Sequence, residues 1–443
     1  MKNLFALLFG ATLCIGTLGT SALCTRTLAD DWPQWMGKNR DNRWEATNII
    51  DRFPSGGPKV VWRSKVAGGY SGPAVVGDRV YVTDFVSEGD VKVDNFNRAT
   101  YAGKERVLCL DATTGKEVWK REDPVIYAIS YPAGPRCTPI VEGDLVYTLG
   151  AQGLLMCFKS KTSDLVWKHD LPKDYKTKSA LWGYAAHPLI DGPRLICVVG
   201  GEGTHTVAFD KLTGKELWRF GTATEQGYSP PTIIKVAGVR QLILANPNAV
   251  NAVNPETGKL LWTTPYEASN GSIIMSPIMV GEYLFVGGYS NHNLLLKLDQ
   301  QKPAVTVVSQ DKTKKFVSPV NVQPYVDGET IYGIDQSGDM VAFKLPEGDH
   351  IWKSTDVIGG RSQGSETAFI VRQGDRYFLF NEKGELVIAR LSPKGVEIID
   401  RTKVIEPTNT AFGRPVVWCA PAFAGTRMYV RNDDECICVE LGK

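Results

Sequence analysis

Three features of the 443-residue sequence predict an all-β protein, a single eight-bladed β-propeller of four-stranded antiparallel blades. A segment close to Ala/Cys-apolar-Asp-x-x-Thr-Gly-x-x-apolar-Trp recurs, ending at Trp119, Trp167, Trp218, Trp262 and Trp352, with spacings of about 44–51 residues or twice that. A second segment opens each period: a small residue, Pro, a short apolar run and Gly-Asp or similar. Gly72–Tyr81 and Thr138–Tyr147 are clear copies; further openings stand at His187, Pro230, Ser276, Gln323, Thr367 and Ala420, eight in all. Glycine, 44 residues of the 443, exceeds the usual ~7%, as a fold with many tight turns requires. Periods of ~40–50 residues belong to propellers and solenoids, and solenoid repeats are usually shorter or helical.

Along the chain, Lys2, the apolar run from Leu4 to Leu23 and the small-residue pattern Thr27-Leu28-Ala29 mark residues 1–29 as a secretory signal peptide. A retained anchor is the alternative, since the run nearly reaches the ~20 residues needed to span a bilayer. Residues 30–57 are a lead-in and 58–443 the propeller. Within each period Gly-Asp closes a hairpin between the first and second strands. The Gly of Thr-Gly supplies positive φ between the third and fourth, with the preceding Asp or Asn bonding the turn backbone. The last period, Ala420 to Leu441, has only three strands. The missing one stands at the other end as Pro58–Lys65, so strand 58–65 is expected to join the C-terminal blade and close the ring. The Trp column is read as structural.

The charges balance: 50 Lys+Arg, of which Lys2 and Arg26 fall in the signal peptide, against 48 Asp+Glu. Such a neutral domain gives no basis for sequence-independent binding to nucleic acid or an anionic membrane. Seven cysteines follow the signal peptide. Cys109, Cys157 and Cys438 take the slot that holds Ala208 and Ala342 in other repeats, so they read as small buried residues. Cys436 and Cys438 lie too close on one strand for an unstrained bond.

Isolated motifs carry little chemistry. Gly360–Gly364 matches the hydrolase elbow Gly-x-Ser-x-Gly, but no helical pattern follows. The five histidines lack metal-binding spacing and read as surface or turn residues, except His187, which stands at the start of an innermost strand. Asn270-Gly-Ser reads as a turn rather than a glycosylation acceptor, and Asp433–Glu435 as a solvated hairpin tip. No catalytic or metal-ligating set is assigned.

A site is expected where the fourth-to-first and second-to-third connections ring the central channel. Two are long: an insertion from Asp84 to Lys104, with Asp94–Arg98 and Tyr101, and the connection from Lys168 to Ala186, with Lys173, Tyr175, Lys176, Lys178, Trp182 and Tyr184. The mouth candidates are Tyr70, Arg136, Trp182, Tyr184, His187, Tyr228, Arg361 and Trp418, with Arg414 beside them. Aromatics with a few basic groups suit a planar anionic ligand or a peptide. Trp182 and Tyr184 are expected to be replaceable without cost to folding.

The Asp/Asn-x-x-Thr-Gly-x-x-Leu/Val-Trp repeat resembles that of pyrroloquinoline quinone (PQQ)-type propellers. That superfamily holds both quinoprotein alcohol dehydrogenases and the non-enzymatic outer-membrane-assembly (BamB-type) propellers. The lead-in Asp31–Arg40 is similar to the start of many secreted members. The resemblance implies an exported, periplasmic or secreted propeller, a monomer that acts as a binding or scaffold module in cell-envelope assembly, with a protein or small-molecule ligand at its mouth. The enzymatic branch implies PQQ with Ca²⁺, yet its adjacent-cysteine disulfide and Cys-x-x-Cys-His haem motif do not occur. A quinoprotein dehydrogenase with a diverged site is therefore the second reading, and a glycan-binding propeller the third.

Overall fold

The computed structural model describes residues 31–443 apart from Val93, Asn95 and Thr224; the signal-peptide expectation lies outside these residues. Eight four-stranded antiparallel sheets follow one another round a ring, the β-propeller expected from the repeats. Innermost strands begin at Ala74, Ile140, Leu189, Thr232, Ile278, Tyr325, Ala368 and Ala422, one or two residues inside the eight sequence openings. Gly77, Gly143 and Gly281, in the first hairpin turns, have φ of +57°, +58° and +57° with open space around them. The backbone conformation, not crowding, selects glycine there.

The ring closes as the strand count requires. Val60–Lys65 pairs antiparallel with Glu435–Glu440, placing Trp62 opposite Cys438 and Lys65 opposite Glu435. One covalent chain thus supplies head and tail to the same blade, leaving no unpaired seam.

The tryptophan column couples each blade to the next. Opposite Trp119, Trp167 and Trp62 across the strand pair stand Cys109, Cys157 and Cys438; opposite Trp218, Trp262 and Trp352 stand Ala208, Ala252 and Ala342. The cysteine slot is small because an indole lies across it. All seven cysteines of the described residues are free and buried, and burial pushes the Cys109 thiol up to about 12 and Cys157 to about 11. Five of these six indoles then reach into the third turn of the following blade. Trp62 Nε1 donates to the Ala112 carbonyl (3.0 Å), Trp119 to Ser160 (2.9 Å), Trp167 to Lys211 (3.0 Å), Trp218 to Pro255 (3.1 Å) and Trp352 to Ser392 (2.8 Å). The turn glycine lies on the ring face: a Cβ on Gly258 would sit 2.7 Å from the Trp218 indole, and one on Gly115 2.6 Å from Trp62. Trp262 faces a blade whose turn, Asp299–Pro303, lacks Thr-Gly, and its Nε1 instead donates to Gln241 Oε1 in its own blade (2.7 Å). Where the fifth blade lacks the Trp, Phe316 lies against Gly348 and takes its place.

The lead-in is part of this core. Trp32 pairs with Val75 of the first blade, the Pro33 carbonyl accepts from Val141 N of the second, and Arg43 bridges to Arg372 of the seventh. Trp44, fully buried, packs on Phe378 and Phe423 at centroid distances of 5.1 and 4.8 Å and donates to the Gly425 carbonyl. The segment therefore spans the channel on the face opposite the fourth-to-first connections.

The insertion from Asp84 to Lys104 is less of a loop than the sequence suggested. Strands Arg79–Ser87, Ala99–Asp111 and Glu117–Ile129 carry the first blade outward and take up both ends of the insertion. Alternating burial and an unbroken register from Asp84↔Arg106 to Ser87↔Gly103 account for the extension.

Trp218→Ala is expected to lower unfolding free energy by about 3–5 kcal/mol, the cost of a large buried aromatic. Leu217→Ala, at a neighbouring side chain 45% exposed, is expected to cost under about 0.5 kcal/mol. Urea denaturation of the two variants checks the difference.

Candidate functional site

The fourth-to-first connections surround a cup of about 220 Å³ at one end of the channel. Its wall changes character round the ring. Connections from the seventh blade through to the fourth contribute aromatic rings: Trp418, Tyr70, Tyr131, Trp182 and Tyr228 in chain-circular order, with Phe412 and Phe96 at the lip. Tyr131 lies 5.6 Å from Trp418 and Trp182 5.3 Å from Tyr228, centroid to centroid. The remaining connections contribute Asn270, Ser272, Asn321 and Ser365 among apolar Ile274, Met275, Val320 and Val322; Tyr289, from the second-to-third connection of the fifth blade, and Phe369 add aromatic rings on this side.

Two hairpins build the lip. Phe96, 62% exposed, tips the extended first blade, where Asp94 Oδ1 accepts from the Phe96 and Asn97 amides. Arg98 ties that tip down by donating to the Ala128 and Ser179 carbonyls. Phe412 tips the short hairpin of Asn409–Ala411 and Arg414–Val416 between the seventh and eighth blades.

The base is Trp35 of the lead-in, stacked on His187 (4.6 Å, interplanar 16°). Arg40 lies 5.2 Å over the Trp35 ring and donates to the Pro188 carbonyl; burial lowers its guanidinium to about 10. His187 is pushed down to about 3 by burial, with Arg40 adding to the shift, so the imidazole is neutral at the base.

The arginines at the wall and just behind it are occupied by the protein itself. Arg136 donates through Nε to the Trp182 carbonyl (2.9 Å), through Nη2 to the Ser130 and Tyr131 carbonyls, and through Nη1 to Gly134, while lying 5.1 Å over Tyr70. Arg414 pairs with the buried Glu382 carboxylate (2.6 Å), which also accepts from Trp418 Nε1 (3.0 Å). The Glu105 carboxyl, buried behind the first blade, accepts from Tyr127 and the Ala151 amide, and burial raises its pKa.

The sequence candidates thus divide. Tyr70, Arg136, Trp182, His187, Tyr228 and Trp418 share the cup wall. Tyr184 does not: it is 3% exposed, packed in the core between the second and third blades, with its hydroxyl on the Val199 carbonyl. Trp182 and Tyr184 therefore cannot be removed together without cost, because Tyr184 fills core volume. Arg361 is exposed and outside the wall. Tyr175 turns to the rim of the third blade, donating to Glu216 (3.0 Å). Lys173, Lys176 and Lys178 are outside the wall too.

Other motif readings also need correction. His205 is not a surface residue but 1% exposed, donating from Nε2 to Gln226 and accepting at Nδ1 from Thr206. Asp433 is half-buried rather than a solvated tip, and Oδ1 accepts from Gly69 N. Ser362 of Gly360–Gly364 lies on a connection that runs into strand Ala368–Gln373, not a helix. Asn270 forms a turn with φ +52°. Among the described residues no three His, Cys, Asp or Glu side chains gather to hold a metal. No helix among them is long and apolar enough to cross a membrane.

Sequence reasoning missed the base: Trp35 is encoded in Asp31–Arg40, but nothing in that segment's pattern announces that it crosses the channel.

Comparison with known proteins fits this architecture. The family model described as outer membrane protein assembly factor BamB matches residues 52–127 and 103–354. The chain belongs to that family. BamB of Yersinia pestis is 21% identical over 281 residues, 62% of this chain and 68% of the relative. The quinohemoprotein alcohol dehydrogenase ADH-IIG of Pseudomonas putida is 31% identical over 134 residues, 28% of this chain and 18% of that enzyme. Among solved structures, BamB of Moraxella catarrhalis superposes with TM-score 0.53 at 17% identity, covering 86% of this chain and 97% of that one. The quinohemoprotein alcohol dehydrogenase of Comamonas testosteroni gives 0.59 at 12%, covering 93% and 81%. At these identities both establish the propeller fold that the family shares.

The two buried histidines give a pH test. Their folded values, about 3 for His187 and about 4 for His205, lie below the 6.5 of a free imidazole. Between those values the unfolded chain binds protons that the folded one refuses. Their contribution to stability is full above pH 6.5 and is lost as pH falls toward the folded values. In an NMR titration the His187 and His205 ring signals are expected to stay at their neutral positions down to about pH 5.

Proposed function

We propose that this protein is an exported scaffold or binding propeller, of the cell-envelope-assembly kind, that works without catalysis by holding a ligand or partner segment in the mouth cup. The observation that carries this reading is the state of the polar groups at the wall. Arg136 is committed to backbone carbonyls and Arg414 to Glu382, so the site offers preformed shape and aromatic surface rather than reactive groups. Aromatic residues at a concave, rigid mouth are the usual anchors of recognition sites. Membership of the BamB family supports an extracytoplasmic assembly role.

The partial match to a quinohemoprotein alcohol dehydrogenase favours a second reading, a diverged quinoprotein dehydrogenase. The aromatic wall suits a planar ring, but the donor set does not suit PQQ. Its carboxylates call for free cationic donors and its Ca²⁺ for clustered oxygen ligands. Here the wall arginines are committed, and no acidic cluster gathers among the described residues.

Titration of the purified protein with PQQ and Ca²⁺, followed by dye-linked oxidation of alcohols and sugars, separates the readings. The scaffold reading expects no saturable binding at high micromolar quinone and no dye reduction. Saturable binding with turnover would establish the dehydrogenase.

A further inference from the structure

The division of the cup wall specifies a ligand. From Trp418 through Tyr70, Tyr131 and Trp182 to Tyr228, five successive connections present aromatic rings. The next three present the Asn270 amide, the Ser272 hydroxyl, the Asn321 amide and the Ser365 hydroxyl. Asn321 Nδ2 is engaged by Thr367 at a long 3.3 Å. The side chains of Asn270, Ser272 and Ser365 make no hydrogen bond among the described residues. The cup thus has a π-faced arc and, facing it, an apolar arc of Ile274, Met275, Val320 and Val322 in which these neutral donors and acceptors are set.

We infer that the cup binds a neutral pyranose unit, the terminal sugar of a glycan, with its C–H face on the aromatic arc and its hydroxyls toward Asn270 and Asn321. This rests on the reading of the mouth as a binding site and names its ligand class. Aromatic faces carry partial negative charge that attracts the polarised C–H groups of a sugar ring. Hydroxyls need partners that both donate and accept, which amides and hydroxyls supply. A carboxylate or phosphate finds no uncommitted cation at the wall: Arg136 and Arg414 are engaged as described. A peptide aromatic side chain would leave the amide arc unmatched. Size agrees: pockets for drug-sized ligands run to roughly 300–1,000 Å³, so about 220 Å³ holds one ring.

The experiment is a titration of the intact secreted domain, following tryptophan fluorescence with calorimetry. The probes are the methyl glycosides of glucose, galactose, mannose and N-acetylglucosamine, then methyl glucuronide and N-acetyltryptophanamide. One neutral glycoside is expected to saturate at roughly millimolar Kd, with the glucuronide at least about tenfold weaker. Asn270→Gly, which keeps the left-handed turn at that position, and Asn321→Ala are expected to weaken binding about tenfold each with Tm little changed. Binding of the glucuronide as tightly as any neutral glycoside overturns the inference. So does binding of N-acetyltryptophanamide alone, although that result leaves the mouth a binding site. Binding of none of the probes overturns the saccharide inference; if PQQ and partner-protein capture then also fail, the mouth reading falls with it.

Discussion

The whole ring depends on one contact repeated between blades: an indole from an outer strand laid on the turn of the blade that follows. Two constraints meet there. The turn must be open enough for a flat ring, which favours glycine where the ring lies close, as the 2.7 Å approach of a Cβ on Gly258 to Trp218 shows, although the turn that receives Trp119 carries Ser163 at φ +62°. The cross-strand neighbour of the indole must be small, which limits it to Cys or Ala. The indole N–H then satisfies a turn carbonyl that would otherwise be left at a dry seam. The contact is local in space yet joins residues some forty positions apart, which converts eight small sheets into one cooperative body.

The seam between the seventh and eighth blades cannot use this device, because the eighth blade is assembled from both ends of the chain and has no third turn. The lead-in fills the gap. Trp44 packs there against Phe378 and Phe423. The same segment then crosses beneath the channel and places Trp35 under His187. One stretch of chain thus completes the core and gives the channel a base. A through-channel becomes a cup, so a ligand at the mouth meets a fixed surface on every side but one.

The propeller was legible because its constraints are periodic. Thr-Gly followed by an apolar residue and Trp encodes a turn and the ring that docks on its neighbour, and the count of openings encodes the blade number. The three-stranded last period and the orphan Val60–Trp62 strand encoded the closure. The cup was legible only in part. Tyr70, Arg136, His187, Tyr228 and Trp418 were found because each sits at or near the entry to an innermost strand, where topology fixes direction. Trp182 and Tyr184, two residues apart in an irregular connection, have no such rule: one faces the cup and the other the core. His205 reads as a turn residue in sequence yet is buried by the fold of the connection holding Gln226. The amide arc, being unremarkable polar residues in loops, gives no sequence signal.

Hydrogen exchange on the intact domain and on Trp62→Ala tests the dependence of the ring on its docked indoles most directly. If the closing indole locks head, tail and first blade into one unit, the substitution will lower protection together in Val60–Lys65, in Glu435–Glu440 and in the strands flanking the Ala112 turn. Faster exchange confined to Val60–Lys65, with Glu435–Glu440 and the first blade as protected as before, would contradict the account.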